Sequence, residues 1–252
     1  MELKRYFVEL SYNGSAYHGW QRQPNAISIQ QALEEALSKL SRERIILVGA
    51  GRTDTGVHAR EMFAHFDTTQ EIVNPKELVF LLNGFLRDDI AIKAIRRVQP
   101  SAHARFDATA RYYQYHIATI KDPFLAPSHY YLKQKPDVYL MNQAAKILLL
   151  HKDFQCFSRS NTDVKTFLCN IKKAEWQQQD DYLVFYICAN RFLRNMVRAI
   201  VGTLLEIGFK KRKVEDIEMV ITSKDRGKAG FSAPARGLYL SRIEYPQNIF
   251  LD

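Results

Sequence analysis

Arg44-Ile45-Ile46-Leu47-Val48 runs directly into Gly49-Ala50-Gly51-Arg52-Thr53-Asp54-Thr55-Gly56-Val57-His58, and Met62-Phe63-Ala64-His65-Phe66 follows. Apolar, β-branched and aromatic residues on either side of a glycine-spaced segment predict strand, loop, strand. The three glycines let the backbone approach a ligand, and one carboxylate, Asp54, stands between Arg52 and His58. The same composition would also serve as a connecting turn whose Asp caps local amides and pairs with its Arg. The loop departs from the phosphate-cradling G-x-x-x-x-G-K-[ST] pattern, because Gly56 is followed by Val57 and His58. Nucleoside triphosphate hydrolysis loses weight accordingly.

Upstream, Tyr6 to Tyr12 has strand composition and ends in the turn residues Asn13-Gly14-Ser15. Ile29, Ala32, Leu33, Ala36, Leu37 and Leu40 then recur at helical spacing behind Ser28, a suitable N-cap. Downstream, Asn74-Pro75 opens a helix through Leu82, and Asp89 to Ile95 alternates like a strand. Arg111-Tyr112-Tyr113-Gln114-Tyr115-His116-Ile117 starts a second half that faintly repeats the first, with a helix at Val138 to Leu150. Tyr182 to Cys188 is the clearest strand, Phe192 to Gly208 reads as a long helix closed by Gly208, and Gly237 to Ile243 is a last strand. The fold class expected is α+β in two halves, residues 1–105 and 106–252, without a low-complexity linker between them.

The 252 residues are 46% hydrophobic and 25% charged, the balance of a folded chain with a sizeable core. A formal charge of +9 favours an acidic partner. Cys156, Cys169 and Cys188 form no C-x-x-C, so reduced thiols are expected and structural zinc is not. No apolar run is long enough for a membrane span and Met1 to Tyr6 contains no secretory signal, so a cytoplasmic address without membrane association is the expectation.

Asp54, His58, His65 and Asp67 offer oxygen and nitrogen ligands for a divalent ion, the arrangement a metal-dependent phosphoesterase would use, but their spacing fits no strong metal template. Basic and aromatic residues occur together at Arg105-Phe106, Arg111 to Tyr115 and Arg191 to Arg198. That pairing suits RNA, since cations neutralise phosphates while rings stack on unpaired bases; taken singly, each tyrosine also reads as a core residue of a strand. Lys210 to Lys213 and Lys224 to Lys228 add a basic rim or a solvated loop.

The loop from Gly49 to His58 closely resembles the catalytic loop of the tRNA pseudouridine synthase A family, usually G-A-G-R-T-D-A-G-V-H. Similar segments follow in family order: Tyr12 to Ser15 with Gly19-Trp20-Gln21-Arg22-Gln23, His103 to Arg111, Asn195-Met196-Val197-Arg198, and Gly237-Leu238-Tyr239-Leu240. The resemblance implies a pseudouridine synthase fold with a central mixed, mostly antiparallel sheet flanked by helices. It implies a homodimer that isomerises uridines 38, 39 and 40 in the anticodon stem-loop of tRNA, with no metal and no organic cofactor.

By the same resemblance Asp54 is the catalytic carboxylate, acting as nucleophile at C1′ or as base at C2′, and Arg198 pairs with it. Tyr113 stacks on the uracil and is placed to move a proton, Leu238 covers the other face of the base, and Arg52 helps hold the flipped nucleotide or replaces it in the stack. Thr55 stands where the family has alanine. Tyr112 and Tyr113 point to opposite faces of a strand, so only one can meet the base, and Tyr113 matches the motif. The rival from another class is an RNA-binding module in which the Asp54 loop is structural.

Overall fold

Strand β1 (Lys4–Tyr12) buries Tyr6, Val8, Leu10 and Tyr12 on one face and Phe7 on the other in the computed structural model, which describes residues 3–159 and 164–251. Arg5, Glu9 and Ser11 keep that second face partly open. β1 pairs antiparallel with β3 (His58–Thr68) on one side and β4 (Ile90–Arg97) on the other. The register sets Phe7 opposite His65 and Tyr12 opposite Ala59.

The chain divides into two compact units, Met1–Thr109 with Leu240–Asp252, and Ala110–Tyr239. In the first, α1 (Ile29–Ser41) begins at Ser28, whose hydroxyl accepts the Gln31 amide at 3.2 Å, and ends where Arg42 turns left-handed at φ 53°. Its apolar stripe of Ile29, Leu33, Ala36 and Leu37 is fully buried, each large side chain stabilising the fold by about 1.5–3 kcal/mol. α2 (Pro75–Phe85) starts with Asn74 as cap and Pro75 in its first turn.

The strand expected over Arg44 to Val48 is only partly formed. β2 is confined to Val48–Gly49, opposite His65 and Ala64. Ahead of it the backbone is claimed by side chains of α1: Ser38 Oγ accepts the Ile45 amide, Glu34 Oε1 accepts the Leu47 amide, and Gln30 donates to the Leu47 carbonyl. Gln30 and Glu34 are buried polar residues satisfied by this backbone and by each other at 2.9 Å.

In the second unit β5 (Ala110–Ala118) pairs antiparallel with β8 (Tyr182–Ala189), which pairs antiparallel with β7 (Ile171–Gln179), while β6 (Tyr130–Tyr131) runs parallel to β5. α3 (Val138–Ile147) continues into a 3-10 turn over Leu148–Leu150. α4 (Met196–Gly208) is shorter than the expected Phe192 start, because Asn195 sits at φ 67° and breaks the helical backbone. Gly208 does not take the left-handed closing conformation, which falls to Lys210 at φ 58°. Its hydrogen instead permits close packing, since a Cβ there would come 2.8 Å from Met141 and Pro136.

α5 (Asp216–Ser223) and β9 (Leu238–Glu244) complete the chain. Nine strands and five α-helices among the described residues, paired antiparallel and parallel, make this a mixed-sheet α+β protein. No helix among them is long and apolar enough to cross a membrane.

Candidate active site

The loop between β2 and β3 is held from both sides by the connection between β1 and α1. Tyr12 Oη and Thr53 Oγ1 share a buried hydrogen bond of 2.8 Å. The Thr53 carbonyl accepts the Trp20 amide at 3.1 Å, and the Gly56 amide donates to the Tyr17 carbonyl at 3.4 Å. The Gly14 amide donates to Nδ1 of the buried His58 at 3.2 Å, which makes that nitrogen an acceptor. Tyr17 itself is fixed by donating to Asp89 Oδ1 at 2.5 Å, and burial together with that acceptor pushes its phenol pKa up.

Glycines permit this closeness at two positions. A Cβ on Gly14 would run into the Val57 carbonyl. Gly19, at φ 83°, would place a Cβ 2.4 Å from the Thr53 carbonyl. The loop then closes with the Val57 amide donating to the Asp54 carbonyl, while Gly56 supplies the positive φ of 76° that the third position of such a turn requires. Thr55 occupies the exposed second position, where the side chain meets no constraint against replacing alanine.

Thr53 is thus fixed through its side chain and its carbonyl. Asp54 beside it is half-buried, and Arg52 on its other side is exposed, with Nε donating to Gln21 Oε1 at 3.1 Å. Of the anchoring partners, Tyr12, Gly14, Gly19 and Trp20 lie in the family-like segments of the sequence and Tyr17 lies between them; what each one anchors was not readable there, because it depends on contacts across 41 residues in the case of Tyr12 and Thr53.

Tyr113, Arg198 and Leu238 belong to the second unit. Tyr113 lies on β5 opposite Ile187, half-buried, with the Phe192 ring edge-on at 5.1 Å. Arg198, in the first turns of α4, donates from Nε to the Ala233 carbonyl at 2.7 Å, while the Ala233 amide donates to the Arg198 carbonyl at 3.0 Å. The segment carrying Ala233 lies flat on α4 because Gly202 and Gly230 have no side chains; a Cβ on Gly202 would collide with the Phe231 carbonyl. Thr203 Oγ1 accepts the Gly230 amide at 2.8 Å and secures that contact.

The same segment is tied to β5, as Tyr115 Oη donates to the Pro234 carbonyl at 2.8 Å and Gly237 packs on the Tyr115 ring. Burial holds the Tyr115 phenol well above its ordinary pKa, so it remains a neutral donor. Residues 230–238 therefore link the strand of Tyr113 and the helix of Arg198 to the buried Leu238. Sequence reading found the ends of this arrangement and missed Ala233 and Pro234, whose signal was confined to Gly230 and a proline ahead of the last strand.

The proposed metal set does not come together. Nδ1 of His65 accepts the Ala104 amide at 3.1 Å, and Asp67 takes two hydrogen bonds of 2.7 Å from Arg5, which holds its carboxyl below the usual range. Among the described residues no three His, Cys, Asp or Glu side chains form a group able to hold a metal ion. His58, His65 and Asp67 serve the loop and the sheet instead. Cys156, Cys169 and Cys188 are buried thiols outside any disulfide, and burial pushes the first two up to about 12 and about 11.

Residues 10–107 and 144–246 match a family model described as tRNA pseudouridine synthase. A protein called tRNA pseudouridine synthase A from Bacteroides fragilis is 51% identical over 251 residues, covering 99% of this chain and 100% of its own length. Proteins of the same name from Parabacteroides distasonis and Porphyromonas gingivalis are 50% and 48% identical, covering 98% and 99% of this chain and 98% and 100% of their own lengths.

Proposed function

The chain belongs to the tRNA pseudouridine synthase family, and from that premise we propose that it acts at uridines 38, 39 and 40 of the anticodon stem-loop, with Asp54 as catalytic carboxylate. The coarser activity follows from membership: it is an isomerase that converts uridine to pseudouridine in tRNA.

The reaction breaks the bond between C1′ and N1, turns the uracil, and joins C1′ to C5; the proton lost from C5 is balanced by one gained at N1. No atom enters or leaves, so the chemistry calls for no water, redox partner or external donor. Asp54 either attacks C1′ or removes the C2′ proton, and both routes need the carboxylate ionised in a partly desolvated setting. In this reading Arg198 pairs with Asp54 and favours the charged form. Tyr113 stacks on the uracil and moves a proton, Leu238 covers the opposite face, and Arg52 holds the everted nucleotide.

The observation that carries the assignment of Asp54 is the double anchoring of Thr53, to Tyr12 through its hydroxyl and to Trp20 through its carbonyl. A turn needs no such clamp, whereas a reacting carboxylate gains from a fixed backbone on the adjacent residue. The working form is a homodimer in the cytoplasm, where the substrate resides and the three thiols stay reduced.

Incubating the chain with an unmodified tRNA transcript in EDTA and mapping the product tests the proposal. Pseudouridine at positions 38 to 40 supports it. Modification elsewhere removes the site assignment, and cleaved or dephosphorylated RNA removes the reaction.

A further inference from the structure

The Arg105-Phe106 pair has no place in the chemistry above, yet it sits on a segment whose backbone is unusually well fixed. Between β4 and β5, the Ala102 carbonyl accepts from Arg5, the Ala104 amide donates to His65 Nδ1, and the Ala104 carbonyl accepts from Tyr245 Oη. Asp107 folds inward to accept the His103 amide at 2.7 Å, and His103 Nδ1 accepts the Arg105 amide at 3.1 Å. Beneath the tip the rings of His65 and His103 lie 4.6 Å apart, and His103 and Phe106 4.2 Å apart.

On this rigid base the Phe106 ring is 72% exposed, with the Arg105 guanidinium 5.7 Å from its centre. A flexible loop could expose a phenylalanine at little consequence; a clamped one presents it in a fixed direction. The local carboxylate is turned inward and the cation outward, so the tip is complementary to a polyanion carrying aromatic bases.

We propose that Phe106 is a stacking platform for an unpaired nucleotide of the tRNA substrate, with Arg105 contacting the adjoining phosphate. The proposal rests on tRNA being the substrate. The nucleotide bound here is not the one that reacts. The run of β3 from His58, beside the Asp54 turn, to His65, beneath the tip, spans about 23 Å at the rise of a strand. The tip therefore grips another part of the same RNA and contributes to affinity and register.

Binding of unmodified tRNA transcript and steady-state turnover by the full chain test this with Phe106→Ala, Phe106→Leu and Phe106→Trp. Ala and Leu are expected to weaken binding about 5- to 150-fold, the loss of one stacked base, and to raise KM in step. Trp retains a ring and is expected to bind as the wild type does, and kcat at saturating RNA is unchanged throughout. The exposed position predicts unaltered melting temperatures.

Wild-type affinity in Phe106→Ala overturns the contact, and wild-type affinity in Phe106→Leu overturns stacking as its basis. A change in oligomeric state assigns the ring to a second copy of the chain, and a fall in melting temperature assigns it to the loop; either defeats the proposal. A wild-type chain that binds the transcript without making pseudouridine would instead refute the catalytic reading, leaving this contact to be decided by affinity alone.

Discussion

Thr53 Oγ1 and Tyr12 Oη lie 2.8 Å apart in a buried hydrogen bond that joins β1 to the residue immediately before Asp54. The bond spans two elements distant in sequence and acts on a carboxylate it does not touch. Removing the phenol leaves the Thr53 hydroxyl short of a partner in a buried setting, at a cost of about 1–3 kcal/mol.

Tyr12→Phe is therefore expected to lower stability by that amount and to reduce kcat more than it raises KM for tRNA, because it loosens the position of Asp54 without removing an RNA contact. Denaturant unfolding and steady-state kinetics on the same preparation check both halves. Equal kcat with reduced stability would confine the bond to folding.

Arg198 meets the Ala233 carbonyl through Nε at 2.7 Å, an interaction that orients the whole planar guanidinium. Lysine carries its three donors on a single nitrogen and lacks the planar fork that holds this carbonyl through Nε while its outer nitrogens face a second direction. Arg198→Lys is expected to lower turnover on the order of 10²-fold through misplacement of the cation. Turnover within twofold of wild type would remove Arg198 from the site.

His65 is held down to about 4 from the ordinary 6.5, first by burial and then by the charges of Arg5 and His103. The unfolded chain takes up a proton between these values and the folded chain does not, so stability falls as pH drops through that window. The loss attributable to His65 is about 2 kcal/mol between pH 7.5 and pH 5. Urea unfolding at the two pH values measures it. The variant His65→Gln, which does not titrate, is expected to show a difference smaller by that amount; an unchanged difference would assign the acid sensitivity elsewhere.

Local pattern made much of this fold readable. The apolar and aromatic run of β1, the helical stripe from Ile29 to Leu37 and the cap at Ser28 each follow from residues close together in sequence. Arg44 to Leu47 misled because its apolar content is that of a strand, while its backbone bonds go to Ser38, Glu34 and Gln30 on α1. β7 was not read, since Lys172, Lys173 and the three glutamines at its end conceal the alternation, which a register shift near Lys173 interrupts further.

The candidate site was readable for a different reason. Its loop resembles a family motif at every position but Thr55, which named Arg52 and Asp54, and the further family-like segments named Tyr113, Arg198 and Leu238. The clamps around them were invisible to pattern because they are tertiary. Tyr12 on Thr53, Gly19 against the Thr53 carbonyl and Pro234 under Tyr115 are recognisable only once the chain is folded.

Replacing Asp54 by Asn keeps the shape of the side chain and removes its charge and its capacity as nucleophile or base. With saturating unmodified tRNA, pseudouridine formation in Asp54→Asn is expected to fall at least about 10³-fold while the dissociation constant for tRNA stays near that of the wild type. Turnover close to wild type in a folded, tRNA-binding Asp54→Asn chain would contradict the account at its centre.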